Sequence, residues 1–401
     1  MIRHLLKLVW RRKRANALLI VEILASFMVI FAVLTLATAM LTRWKQPIGY
    51  DYHNVWRVSI DFASMAEMQG VKDDTPERNA LAAMLREMHT MPQVESAAAA
   101  GTPPYGSGTW MSGARTGSGP RIDITRDEVT DEYAKVLRMP ILRGRWFNAE
   151  DEVTQTDRVV IDEDTARALF GTLDVVGRPI QSGEDEFFRV IGVCATFRKD
   201  GELSTDHTNM LFQRLSMTRK KGSVARNIVL RVRPGTPAEF EETLLKRLHA
   251  VAPDYPVKVQ HMEQLREFFN KLFITPAVVG AIVAAFLIIM VSLGLSGVLW
   301  QTVTRRTREI GLRRALGATG SEVNRQILLE VALLSTLALV VGVVIVAQLP
   351  LLGAFRVVNP PAFIIGLAGA LATIYGLTLL CGLYPSWLAG RVQPAQALHY
   401  E

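Results

Sequence analysis

LFITPAVVGAIVAAFLIIMVSLGLSGVLW, residues Leu272–Trp300, runs for 29 residues without a charged side chain. About 20 apolar helical residues cross a bilayer core of ~30 Å. This stretch therefore reads as a transmembrane helix with length to spare. At 1.5 Å per residue it reaches ~43 Å, so it is expected to continue outward as a stalk.

Three more runs qualify as spans: Ala17–Leu41, interrupted only by Glu22; Ile327–Leu352, with Glu330 near its start; and Ala362–Leu388, without charge. Of the 401 residues, 49% are hydrophobic and 21% charged. The charge is therefore concentrated between the spans, chiefly in the stretch 42–271. The expected class is an α-helical membrane protein with four transmembrane helices and one α+β extracytoplasmic domain.

The net charge of +7 is a topology signal rather than a nucleic-acid surface. Six basic residues and no acid precede position 17 (Arg3, Lys7, Arg11, Arg12, Lys13, Arg14), and six more lie within 301–326. Both clusters abut apolar runs. Segments 1–16, 301–326 and 389–401 are thus expected inside the cell, and 42–271 and the turn Gly353–Pro361 outside. Ala37-Thr38-Ala39 resembles a signal cleavage site. The apolar run before it is nevertheless longer than the about 7–15 residues of a signal peptide, so the first span is expected to be retained. Ile2, Leu5, Leu6 and Val9 share helical one-face spacing. Residues 1–16 are either an amphipathic helix on the inner leaflet or a disordered basic tail. Glu22 and Glu330 are either a relay or interfacial carboxylates paired with nearby arginines. Their position within two turns of the cytoplasmic end favours the second reading. Cys194 and Cys381 lie in unlike contexts, and no disulfide is expected.

The outer domain repeats one pattern at its two ends. Val55–Phe62 alternates as a strand, Pro76–Met91 reads as a helix and Val94–Ala100 as a strand. Near the end, Asn227–Arg233, Pro237–Ala252 and Tyr255–His261 repeat strand, helix, strand. Together they predict a split ferredoxin-like porter subdomain, 46–101 and 225–262. The insert, 102–224, opens with a glycine- and proline-rich stretch, Gly101–Pro120, expected to be a flexible loop. Strands at Arg158–Asp162 and Glu186–Val193 flank a helix at Asp164–Phe170, which makes the insert a mixed, strand-rich lobe.

Chemistry is hard to find in this domain. Asp61, Asp123, Asp127 and Asp131 lack the spacing of a calcium loop, the seven histidines form no helical pair for zinc, and G-x-S-x-G is missing. No lysine follows a glycine anywhere, so a phosphate loop is excluded. No catalytic, cofactor or metal residue is expected, and isolated Asp, His and Ser residues are expected to be solvated.

The segment after the second span is more informative: Thr304-Arg305-Arg306-Thr307-Arg308-Glu309-Ile310-Gly311-Leu312-Arg313-Arg314-Ala315-Leu316-Gly317-Ala318-Thr319. Glu309 and Arg313 form an acid–base pair at i, i+4. Gly317 permits a helix stop or a close backbone approach, and Ser321 restarts a helix into span three. A short helix held between two membrane helices can dock into a partner and pass on its motion.

Here the chain resembles the MacB/FtsX-type permeases of ABC systems, in which this segment follows R-E-I-G-x-R-x-A-x-G-A and meets the ATPase. The resemblance extends to Tyr133–Asp151, Val159–Ile180, Val190-Ile191-Gly192-Val193 and the closing Tyr384–Leu398. It implies that Arg308, Glu309, Ile310, Gly311, Leu312, Arg313, Arg314, Ala315, Leu316, Gly317 and Ala318 couple to an ATPase. Macrolide-exporter members carry the ATPase on the same chain. Here it is expected on a separate subunit, which would hold ATP and magnesium. The resemblance also implies a second permease, as homo- or heterodimer. Glycines at 294, 297, 366 and 369 and Ala370 would allow close helix approach consistent with that dimer.

The implied function is mechanotransmission: ATP-driven motion of the spans moves the outer domain and drives efflux from the periplasm, with a periplasmic adaptor and outer-membrane channel as further partners. Lipoprotein extraction or control of a cell-wall hydrolase is the alternative within the family. A membrane-anchored ligand sensor is the alternative from another class, and the lack of a kinase module after the 301–326 loop counts against it. The expected location is the bacterial inner membrane.

Overall fold

A computed structural model describes residues 13–62, 74–106, 108, 110–117, 119–152, 157–183, 186–204, 209–216, 224–305, 312, 316, 319–353 and 358–390. The expected amphipathic stretch before residue 13 and the tail after 390 lie outside them. In chain order the elements are α1 (Lys13–Trp44), β1 (Val55–Ile60), α2 (Thr75–Thr90), β2 (Val94–Ala100), β3 (Trp110–Arg115), β4 (Ile122–Val129), α3 (Tyr133–Val136), β5 (Ile141–Gly144), β6 (Asp157–Asp162), α4 (Glu163–Phe170), β7 (Pro179–Ser182), β8 (Glu186–Cys194), β9 (Asn209–Arg214), β10 (Asn227–Val232), α5 (Phe240–Val251), β11 (Val257–His261), α6 (Met262–Arg305), α7 (Gly320–Val346) and α8 (Pro360–Gly390). They fall into two compact units, 1–43 with 274–401, and 44–273.

The first unit is helical. α1, α6, α7 and α8 are each long and apolar enough to cross a membrane. Helix ends follow backbone signals rather than the limits of the apolar runs. α6 starts at Met262, directly after β11, and runs 44 residues, about 66 Å. α7 stops at Val346, before the end of its apolar run, because Pro350 follows closely. The core draws Ile23, Phe27 and Phe31 from α1, Val291 and Leu295 from α6, Leu339 from α7 and Ile374 from α8. Glycines let α1 pack closely: Gly342 faces Phe27, Gly366 faces Thr35, Gly369 faces Leu34 and Gly294 faces Glu22. The close approaches at Gly294, Gly366 and Gly369 are therefore made within one chain. Gly297 has nothing within 4 Å of where a β-carbon would stand.

The second unit begins as a four-stranded antiparallel sheet in the order β11-β1-β10-β2. With α2 and α5 against it, this is the split ferredoxin-like arrangement. β10 explains how both faces are filled. Ile228, Leu230 and Val232 point into one core with Leu81, Met84, Met88, Leu244 and Leu248. Val229 faces the other way, toward Tyr133, Val136 and Met262. With both faces covered, β2 carries small apolar residues on each side (Ala97 to Ala100), as a doubly buried strand must. Each large aliphatic side chain so buried contributes roughly 1.5–3 kcal/mol.

The insert is a closed barrel. β4, β3, β7, β8, β6 and β9 pair in sequence, and β9 returns to β4 in parallel register, Ile124↔Asn209 through Val129↔Arg214. Ile124, Val159, Ile161, Ile180, Phe188, Val190 and Leu211 form its core. Alternate residues on the same strands, Val129, Val160, Met210 and Phe212, enter the core shared with β10. The pair Ala100↔Val129 links barrel to porter sheet, flanked by the Gly101 N–H donating to the Glu128 carbonyl and the Thr130 N–H to the Ala99 carbonyl.

The described part of the glycine- and proline-rich stretch is held in place. Residues 103–106 are buried, the Tyr105 N–H donates to the Lys199 carbonyl at 2.9 Å, and β3 starts at Trp110. Prolines and glycines shape this turn, and the Tyr105 ring anchors it by packing edge-on to Tyr50.

Candidate functional site: the coupling segment and the charged interior of the outer domain

Of the residues expected to couple to an ATPase, Leu312 and Leu316 are described; Arg308, Glu309, Ile310, Gly311, Arg313, Arg314, Ala315, Gly317 and Ala318 lie outside the described residues. The Leu316 N–H donates to the Leu312 carbonyl at 3.0 Å, which makes one helical turn. At i, i+4 the two leucines share a face. Leu312 is 54% exposed and Leu316 81% exposed. Thr319 closes the segment: its Oγ1 accepts from the Glu322 N–H at 3.3 Å and its N–H donates to Glu322 Oε2 at 2.9 Å. This capping box starts α7, so the start is set by Thr319 and not by Ser321. The signal Thr-x-x-Glu stands in the sequence at Thr319–Glu322.

Behind the segment, helix contacts are specific. Ser335 and Thr378 hydroxyls lie 2.9 Å apart in the buried contact of α7 and α8, and Thr336 meets Tyr375 at 3.1 Å. Glu330 accepts from Gln326 Nε2 at 3.4 Å. Glu22 rests against α6, where a β-carbon at Gly294 would come within 2.8 Å of its Oε2.

The outer domain holds buried charge that the sequence did not signal. Asp162 caps α4 and is fully buried; it accepts from Thr165 N and Oγ1, Phe197 N and Met210 N. Burial pushes it up to about 7, against the pull of those donors. Asp127 on β4 accepts from Thr102 N at 2.8 Å. Burial pushes it up to about 7 too, opposed by the Thr102 donor and the Lys199 ammonium. Asp151 is buried between Arg145 and Arg158, which hold it well below the usual carboxylate range despite the cost of burial. These carboxylates are structural, not solvated: they pin loops to strands. Among the described residues no group of three or more His, Cys, Asp or Glu is placed to hold a metal.

In the Tyr133–Asp151 stretch particular residues are fixed by their surroundings. Tyr133 and Val136 are fully buried. Gly144 has φ +68 and presses on the Ile191 carbonyl, a backbone position closed to other residues.

A family model described as the MacB-like periplasmic core domain matches residues 17–246, more than half of the chain. A second, the FtsX-like permease C-terminal, matches residues 281–394. The chain belongs to the MacB/FtsX-type permease family. Curated relatives of this family include the macrolide export ATP-binding/permease protein MacB of Bordetella avium, 27% identical over 296 residues, covering 70% of this chain and 44% of that protein. The Wolinella succinogenes protein of the same name is 28% identical over 281 residues, covering 68% and 43%. The chain thus spans less than half the length of these relatives. Among solved structures, the periplasmic region of MacB from Actinobacillus actinomycetemcomitans aligns at TM-score 0.40 and 14% identity, covering 57% of this chain and 97% of that one.

Proposed function

We propose that this chain is the permease subunit of an ATP-driven ABC complex, and that it couples hydrolysis by an ABC ATPase to motion of the outer domain. The observation that carries the reading is the pair Leu312 and Leu316, one turn apart and exposed, set between α6 and α7. Two large aliphatic side chains on a cytoplasmic connector gain from a partner's groove, roughly 1.5–3 kcal/mol each when fully buried. Arg308 through Ala318 form the docking element. Its flanking charges orient it and contribute less, about 0.2–1 kcal/mol per exposed pair.

In this reading the chain sits in the bacterial inner membrane with both termini cytoplasmic and works as a dimer of permeases. The ATPase of the complex holds ATP and magnesium. Efflux of a substrate taken from the periplasm is the favoured transport role, supported by the macrolide-export names of the relatives, with an adaptor and outer-membrane channel completing the path. The test is a Leu316→Asp variant, first shown to insert and fold normally. It is expected to lose co-purification with the ATPase; full retention would reduce the segment to a topology signal.

A further inference from the structure

The extramembrane start of α6 packs on the outer domain through one face. Met262, Arg266, Phe269 and Asn270 are turned inward, at helical spacing, while Glu263, Glu267 and Phe268 are exposed. Arg266 brings charge to that inward face. Its Nε and Nη2 both donate to Glu202 Oε1, at 2.8 and 2.6 Å. Its guanidinium lies 4.6 Å from the Tyr52 ring centre and 5.6 Å from that of Trp44. Trp44 is the last residue of α1, and Tyr52 belongs to the stretch leading into β1.

Glu202 sits at the end of a loop that is itself held on two sides. The Arg198 N–H donates to the Ile48 carbonyl at 2.9 Å, and the Tyr50 hydroxyl donates to the Arg198 carbonyl at 3.2 Å. The Lys199 carbonyl takes the Tyr105 N–H, and the Tyr105 carbonyl takes Arg57 Nη1 at 2.8 Å. Phe269 packs on the Tyr105 ring at 5.4 Å. Three segments therefore meet at Arg266: the exit of α1, the 198–203 loop that follows β8 of the barrel, and the entry of α6.

Apolar contacts such as Met262 and Phe269 resist separation but tolerate sliding, since their energy is not directional. A charge-assisted pair to a largely buried carboxylate fixes register as well. We propose that Arg266 is a positioning residue: through Glu202 it locks the start of α6 to the barrel's 198–203 loop, so that a movement of α6 is delivered to the outer domain at this node. The proposal rests on the coupling function above for its purpose, but its geometry can be tested without nucleotide or partner.

The experiment is a spin-label distance measurement on the full chain in lipid nanodiscs, in a Cys381→Ser background. Labels are placed through Arg167→Cys on α4 and Glu267→Cys on α6; both side chains are exposed and engaged in surface pairs. The parent should give one narrow distance distribution. Arg266→Ala should at least double its width, and hydrogen exchange at residues 44–52 and 197–204 should rise about tenfold. Protection of β2 and β10 should stay unchanged. If Arg266→Ala lowers that strand protection, Glu202→Gln, which keeps the side-chain volume, carries the test. The charge swap Glu202→Arg with Arg266→Glu should narrow the distribution again, which a loss of packing alone would not do. An unchanged width in both single variants, or no recovery in the swap, overturns the proposal. Neither outcome depends on whether Leu316 binds an ATPase, so the two readings fail separately.

Discussion

Gly342 of α7 lies so close to Phe27 of α1 that a β-carbon there would stand 2.5 Å from the ring. Phe27 is fully buried and anchors the helical core. Gly342→Val therefore overpacks a filled site, at a cost of roughly 1–3 kcal/mol. Gly297→Val, where the space is open, should be nearly neutral. Thermal unfolding of the two purified variants in one detergent compares them; equal midpoints would show that α1 and α7 are not packed as described.

Asp127 gives a pH dependence with a definite sign. Burial raises its folded-state pKa to about 7, above the unfolded value of ~3.9. The folded state thus binds the extra proton, and stability falls as pH rises from about 4 to about 7. Asp127→Asn removes this loss. The variant should gain on the parent by on the order of 2 kcal/mol between pH 5 and pH 7, with the gain levelling off once the pH has passed the folded-state pKa. Denaturant midpoints across that range read it out. A difference that does not change with pH would mean that Lys199 keeps Asp127 ionised throughout.

Asp151 should behave in the opposite way. Its carboxylate is stabilised by Arg145, the Asn148 N–H and Arg158. Its contribution is present above the unfolded carboxylate pKa and is lost as pH falls through its lowered folded value. Asp151→Asn should cost about 1.5–3 kcal/mol at pH 7, the range for hydrogen bonds to charged groups. A midpoint unchanged at pH 7 would contradict the ion-pair account of the Tyr133–Asp151 stretch.

Particular residues explain what could be read in advance. The porter strands announced themselves because β1 and β10 sit beside amphipathic helices with Leu81, Met84, Leu244 and Leu248 at one-face spacing. β4 did not, because Arg126 and Asp127 lie side by side in it and both are buried. Arg126 is neutralised by Glu186 from β8, donates to Gln213 Oε1 from β9 and lies over the Trp110 ring from β3, none of them near it in sequence. β9 offers only Met210-Leu211-Phe212, buried on both faces, so no alternation marks it. Barrel closure depends on these two strands pairing and was hidden for the same reason. The helix restart is read at Ser321, and the Thr319–Glu322 capping box is missed although its Thr-x-x-Glu signal stands in the sequence; Gly294, Gly366 and Gly369 could not tell a contact within the chain from one between chains.

Orientation is tested by cysteine labelling with a membrane-impermeant maleimide on whole cells with a permeabilised outer envelope. Lys246→Cys, on the exposed face of α5, should label from outside, and Ser321→Cys, at the start of α7, should label only after the inner membrane is opened. The reverse pattern would invert the topology and put the coupling segment on the wrong side for an ATPase.

The central claim is that Leu312 and Leu316 bury in an ATPase. The most direct measurement is site-specific photo-crosslinking in living cells, with a benzophenone amino acid at position 316 and, as a control, at exposed Leu351 in the turn after α7. The account predicts a crosslinked product at 316 that mass spectrometry identifies as a protein with a glycine–lysine phosphate loop. The product should be absent at 351 and lost when Leu312→Asp is added. Crosslinking at 316 only to lipid or to the chain itself, in cells that express the ATPase, would contradict it.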